Sequence, residues 1–324
     1  MDRAALTRFH DAVGGHLWPD GVRWGTGEEL VEWTGIGLDP DGYVDELRLD
    51  FSDAVETYTG DSVDLSLMLR ELAGLGRLRT LRLVLPMRGG IPVDLRSFRN
   101  LTVLELNCRP RRSKSDGLHG TIPPELGEVK QLRVLDLRWN RLHGTIPHGL
   151  GRLKSLEKLL LGHNGLQGAI PRELGLLGGL VELDLSCNSL KGTIPAELGS
   201  LGSIEELNLS RNNFTGAIPP ELGHLGRLMR LFLSAAGCTG TIPEELGQLV
   251  SLEELDLRHN RLGGWSCAGG TARAFTVRVR HKRRSSARTQ SLSAGAVSAK
   301  VMASTERGRL FSQSAPEHRS SCAA

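Results

Sequence analysis

The 324-residue chain is 39% hydrophobic and 4% aromatic, and holds five cysteines with no CxxC pair. It is long enough for a large core, and no run approaches 18 apolar residues, so no membrane-spanning helix is expected. The net charge of +3 hides an asymmetry: residues 265–324 hold 11 Lys and Arg against 2 Asp and Glu, while residues 1–264 hold 29 against 35.

In chain order, residues 2–17 read as an amphipathic helix with Ala5, Leu6, Phe9 and Val13 on one face and Gly14-Gly15 as the stop. His10 and Asp11 interrupt it, so it lacks the apolar run of a secretory signal. Trp18, Trp24 and Trp33 follow, as cap core or as a ligand platform. Leu47 and Leu49 begin an irregular coil, 64–72 reads as a helix, and Leu81 and Leu83 belong to a degenerate repeat ending in GIP at 90–92. The next repeat is too long. Its excess, NCRPRRSKSDG at 107–117, carries Arg109, Arg111, Arg112 and Lys114, as a solvated loop or as a contact for phosphate or an acidic partner.

From Leu126 a strict 24-residue period takes hold, with the leading leucine returning at Leu150, Leu174, Leu198, Leu222 and Leu246. Each copy holds an LxL pair, such as Leu135 and Leu137 or Leu207 and Leu209, which period-two alternation places on one face. Three residues on comes asparagine at Asn140, Asn164, Asn188, Asn212 and Asn260. Its amide is expected to satisfy backbone groups that the turn leaves inside the coil. Ala236 breaks the series and marks an expected weak point. GTIP or GAIP then recurs six times, the glycine permitting a turn and the proline opening a short helical segment. One coil is not viable by itself, so stability is a property of the stack.

The pattern LxxLxxLxLxxNxLxGxIP, over about 44–264, resembles the plant-type leucine-rich repeat. The resemblance implies an α/β repeat fold: a right-handed curved solenoid with a parallel sheet on the concave face and short helical or 3-10 segments on the convex face. Residues 1–43 would form an N-terminal helical cap, 44–264 the solenoid and 265–324 a basic, disordered tail. In secreted members the cap reads CxWxGVxC. Trp33, Gly35 and Ile36 match it here, but both cysteines are missing. With the odd cysteine count, that departure leads to an expected reducing, cytoplasmic location.

No catalytic set is found. A GxxxxGK phosphate loop, HExxH, zinc-finger spacing and the protein-kinase motifs are all missing, so neither enzyme activity, cofactor nor metal is expected. Sequons at Asn100, Asn208 and Asn213 matter only in the secretory route and also arise as by-products of the repeat. The tail cluster HKRRSSAR at 281–288 reads as a nuclear signal, phosphosite or nucleic-acid patch, each weakly.

A partner is expected on the concave face, where residues flanking the leucines point to solvent. The residues expected to bind are Arg138, Trp139, Lys158, Leu160, His163, Glu182, Asp184, Glu206, Asn208, Arg230, Phe232, Asp256 and Arg258. Phe232, Trp139 and Leu160 are apolar where a solvated face wants polar residues, and aromatics and arginines dominate binding hot spots. His163 and His259 read as surface residues, not metal ligands. The leading expectation is a non-enzymatic, monomeric signalling or defence scaffold binding a protein or peptide. The alternatives are an extracellular receptor-like or inhibitor module, or a receptor kinase that has lost its catalytic domain.

Overall fold

The computed structural model describes residues 2–12, 24, 29–51, 63–92, 98–108 and 116–265. The basic loop at 109–115, the tail from 266, Val13, Gly14-Gly15 and Trp18 lie outside the described residues. The chain forms two compact units, Met1–Leu166 and Gln167–Ala324.

In the first unit, helix α1 (Asp2–Ala12) buries Ala5, Leu6 and Phe9, as its periodicity predicts. Trp24 and Trp33 are buried with ring centroids 5.2 Å apart, and Phe9 lies 5.7 Å from Trp24. The Asp2 carboxylate accepts the Val44 N–H at 2.8 Å, which ties the helix start to the first long strand. Arg77 then clasps the hairpin: it donates to Asp39 at 2.9 Å and Asp41 at 2.5 Å and lies 4.0 Å over the Tyr43 ring. Its charge is held by the bonds to Asp41 and Asp39, and the Asp39 carboxyl is lowered chiefly by Arg77.

Strand β1 (Ile36–Leu38) pairs antiparallel with β2 (Val44–Asp50), a hairpin that the repeat pattern does not announce. From β2 onward the sheet is parallel through β3 (Thr80–Val84), β4 (Val103–Asn107), β5 (Val134–Asp136) and β6 (Lys158–Leu160). Helix α2 (Leu65–Leu72) lies between β2 and β3 in the chain, its first N–H groups capped by the Asp64 carboxylate. It buries Leu65, Met68, Leu69 and Leu72.

The second unit repeats one plan. Strands β7 (Glu182–Asp184), β8 (Glu206–Asn208), β9 (Arg230–Phe232) and β10 (Glu254–Asp256) pair in parallel, in register, one per coil. Their LxL leucines are buried. On the other side of each coil a 3-10 turn follows a proline, as at Ala196–Ser200 after Pro195 and Pro220–His224 after Pro219. Glycine is required there for another reason than turning. A Cβ on Gly199 would sit inside the Glu221 carbonyl group, and one on Gly223 inside that of Glu245, so each turn rests directly on the next coil's backbone.

The asparagines close the coils. The Asn212 amide donates to the carbonyls of Leu185 at 2.9 Å and Leu209 at 3.1 Å, while its oxygen accepts the Leu190 N–H at 3.1 Å. Asn140, Asn164 and Asn260 repeat this bonding. At Ala236, the expected weak point, the side-chain ladder breaks and the backbone takes over its acceptor half. The Ala236 carbonyl itself accepts the Phe214 N–H at 2.8 Å, and Gly237, at φ 88°, lets the backbone turn far enough to present it. The Ala236 and Cys238 N–H groups both donate to the Asn260 oxygen.

Candidate functional site

Pleating sends the residues between the buried leucines to the open face of each sheet, so in-register pairing stacks them into columns. In the second unit one column runs Glu182, Glu206, Arg230, Glu254, and the next runs Asp184, Asn208, Phe232, Asp256. Five carboxylates thus surround one guanidinium and one aromatic ring. Arg230 donates to Glu206 at 2.6 Å, and its charge is reinforced first by that bond, then by the fields of Glu206, Glu182 and Glu254 against the cost of burial. Arg258 forms a fork on Asp256 at 2.8 and 2.7 Å. Burial pushes the Asp256 carboxyl up, but hydrogen bonds from the Arg258 side chain and backbone outweigh it and hold it low. Ser234 donates to the Ser210 hydroxyl at 3.3 Å beside this row. Glu254, which the hot-spot reading passes over, completes the first column. Its signal was its place in the repeat, one coil beyond Arg230.

The first unit presents a different face. Asp136, only 5% exposed, receives a fork from Arg138, with contacts at 3.0 and 2.7 Å. Lys158 is exposed on β6. Leu160 is expected to face solvent, but it is only 4% exposed, like its register partner Asp136 at 5%. It therefore offers no apolar contact to a partner. Trp139 and His163 are half-buried and stack on each other with centroids 3.5 Å apart.

Trp139 and His163 share an unforeseen conformation with Cys187, Arg211, Ala235 and His259: all six have φ between 51° and 63°. This left-handed step, just before the coil-closing asparagine or Ala236, turns the chain out of the sheet. Non-glycine residues adopt it at a cost of about 1–2 kcal/mol, and nothing in their side-chain types marks it. Cys238 is buried, as expected for a small hydrophobe, and burial pushes its thiol up to about 11. Among the described residues no cluster of His, Cys, Asp and Glu is arranged to hold a metal, and no helix is long and apolar enough to cross a membrane.

Comparison with known proteins gives this face a context. A leucine-rich repeat region model matches residues 77–235, and a leucine-rich repeat model matches 248–264; neither describes an enzyme. Among curated proteins none matches the sequence. Among solved structures, the chain is similar to the ectodomain of the Arabidopsis receptor kinase HAESA in complex with an extended IDA peptide hormone. Identity there is 27%, the TM-score is 0.66, and the match covers 80% of this chain and 41% of that one. It is similar to PEPR1 in the PEPR1–AtPEP1 structure at 27% identity and TM-score 0.62, covering 78% and 37%. It is also similar to a plant ice-binding protein at 25% identity and TM-score 0.67, covering 81% and 79%. The chain thus spans about two-fifths of the receptor chains' length.

These neighbours overturn the cytoplasmic location expected from the cysteines, because receptor ectodomains point outside the cell. The physical reason lies in the cap. Packing of Phe9, Trp24 and Trp33 and the Arg77 clasp hold it, so missing cap cysteines carry no information about compartment. The buried LxL pairs, the asparagine bonding, the parallel strands and both family models agree, and the chain belongs to the leucine-rich repeat family in its plant-type form.

Proposed function

We propose that this chain is an extracellular, receptor-type recognition module that binds a peptide ligand on its sheet face, and that it carries no catalytic activity. The observation that carries the reading is the in-register pair of columns in the second unit: Glu182, Glu206, Arg230 and Glu254 beside Asp184, Asn208, Phe232 and Asp256. A half-exposed aromatic ring ringed by charge is the composition of a binding hot spot. The receptor relatives, one of them in complex with a peptide hormone, support a ligand of that size. Extended peptides lie readily along such a face, because each strand offers one set of side chains every 4.8 Å or so. Arg138, Trp139, Lys158 and His163 are proposed as partner contacts of the first unit's own face, taken by itself.

The test is capture of secreted plant peptides on the immobilised chain, with bound species identified by mass spectrometry. Phe232→Ala is expected to weaken capture of the selected peptide at least tenfold, the effect of losing about 1.4 kcal/mol, with an unchanged thermal transition. Undiminished capture by Phe232→Ala together with Glu206→Gln counts against this face.

The ice-binding relative supports a second reading, since it matches over most of its own length. On the flank away from the sheet, Ala169, Thr193, Ala217 and Thr241 are exposed at the same position of successive coils. Thermal hysteresis and ice-crystal shaping by the purified chain would decide for it.

A further inference from the structure

The three sequons look alike in sequence, but the fold treats them differently. At Asn100 the side-chain amide donates to the Gly76 carbonyl at 2.9 Å, and the Thr102 hydroxyl donates to the Arg79 carbonyl at 3.0 Å. Both polar groups of that sequon are spent on holding the preceding coil. At Asn208 the amide oxygen accepts the Ser210 N–H at 3.1 Å, and Ser210 is 8% exposed with its hydroxyl against Ser234. Asn208 also stands in the central column, in register with Asp184 and Phe232.

Asn213 is different. It begins the short strand Asn213–Phe214 on the flank of the coil, after the chain has turned at Asn212. Alternation buries Phe214 at 2% exposure and turns Asn213 and Thr215 outward, both exposed. Among the described residues the Asn213 amide has no hydrogen-bond partner. The corresponding position one coil later is Gly237, where a Cβ would collide with the Phe214 backbone, so no side chain at that position covers the exposed Asn213.

We propose that Asn213 carries an N-linked glycan and that Asn100 and Asn208 stay bare. The inference rests on the extracellular reading. In the step itself, Asn213 Nδ2 loses a proton and bonds to the anomeric carbon of an oligosaccharide. The bond from that carbon to a lipid pyrophosphate breaks, and the lipid pyrophosphate leaves with the electron pair. A glycan there stands on the flank and leaves the sheet face of the coil open. One on Asn208 would cover Phe232.

The experiment uses the full chain behind a supplied secretion signal in plant cells. The secreted protein is deglycosylated enzymatically in heavy-oxygen water and mapped by mass spectrometry. The expected result is a heavy-oxygen aspartate at 213 and unlabelled asparagine at 100 and 208. Asn213→Gln and Thr215→Ala each lose the glycan while keeping the thermal transition of the deglycosylated protein. An unlabelled Asn213, or label at Asn100 or Asn208, overturns the proposal. Because the signal is supplied, either result leaves the natural location open. That is tested separately, by where the protein accumulates when expressed from its own gene.

Discussion

Trp139 and His163, one coil apart, stack face to face with ring centroids 3.5 Å apart and planes 12° apart, each on a left-handed backbone step at φ 63° and 58°. The stack opposes a backbone cost. An aromatic pair contributes about 0.5–1.5 kcal/mol beyond area burial, while the left-handed step costs a non-glycine residue about 1 kcal/mol or more. At position 139 glycine should therefore be better tolerated than alanine, the reverse of the usual order. Urea unfolding of Trp139→Gly is expected to show it about 1 kcal/mol more stable than Trp139→Ala. Equal midpoints, or alanine ahead, would show that the backbone step carries no strain.

Asn212 and Asn213 are adjacent but answer to different physics. Replacing Asn212 by alanine strands the Leu190 N–H and the Leu209 carbonyl inside the coil, and leaves the Leu185 carbonyl to the Asn188 amide at 3.1 Å. A buried group without its partner costs about 1–3 kcal/mol, so Asn212→Ala is expected to lose roughly 3 kcal/mol. Asn213→Ala, on the exposed flank, should stay within about 0.5 kcal/mol of the parent. Denaturant midpoints of the two unglycosylated variants make the comparison, and similar losses would sink the ladder argument.

Gly199 and Gly202 separate close approach from simple flexibility. A methyl group at Gly199 overlaps the Glu221 carbonyl of the next coil, whereas one at Gly202 meets nothing within 4 Å. Gly199→Ala is expected to cost about 1–3 kcal/mol, the range for forced overpacking. Gly202→Ala should be neutral or slightly stabilising, because alanine restricts the unfolded chain. Thermal unfolding of both checks the order.

The Asp256–Arg258 pair predicts a pH dependence. Burial raises the Asp256 carboxyl and the Arg258 contacts outweigh it, so the folded value lies below the unfolded one. The unfolded state then binds the proton more tightly as pH falls. The pair's contribution is complete above the unfolded value of about 3.9, and is lost as pH drops through the folded value. With Arg258 more than half exposed, at 55%, the contribution is held below about 1 kcal/mol. The stability gap between the parent and Asp256→Asn should therefore hold above about pH 4 and shrink as pH falls below it. A gap constant across that range would remove the pair from the account.

Much of this architecture was legible because it is written at a period of 24 residues. The LxL pairs announce strands and their buried face, the asparagines announce coil closure, and GxIP announces the turn into the flank. The site was legible only as a set of columns. Leu160 shows the limit: the pattern places it between two leucines and so on the open face, yet it is only 4% exposed, and alternation by itself says nothing of how much of an open-face side chain stays uncovered. Ala236 shows another. Losing the asparagine looked like a defect, and the backbone supplied the acceptor itself once Gly237 opened the turn.

The order of residues alone determined that coils must stack, which leucines fill them and which side chains line up, since periodicity carries all three. Only the tertiary structure decided that Glu206 is the carboxylate that holds Arg230, that Trp139 lies flat on His163, and which of three identical-looking sequons is open. Those outcomes turn on distances of a few ångströms between residues about 24 positions apart, and no local pattern encodes them.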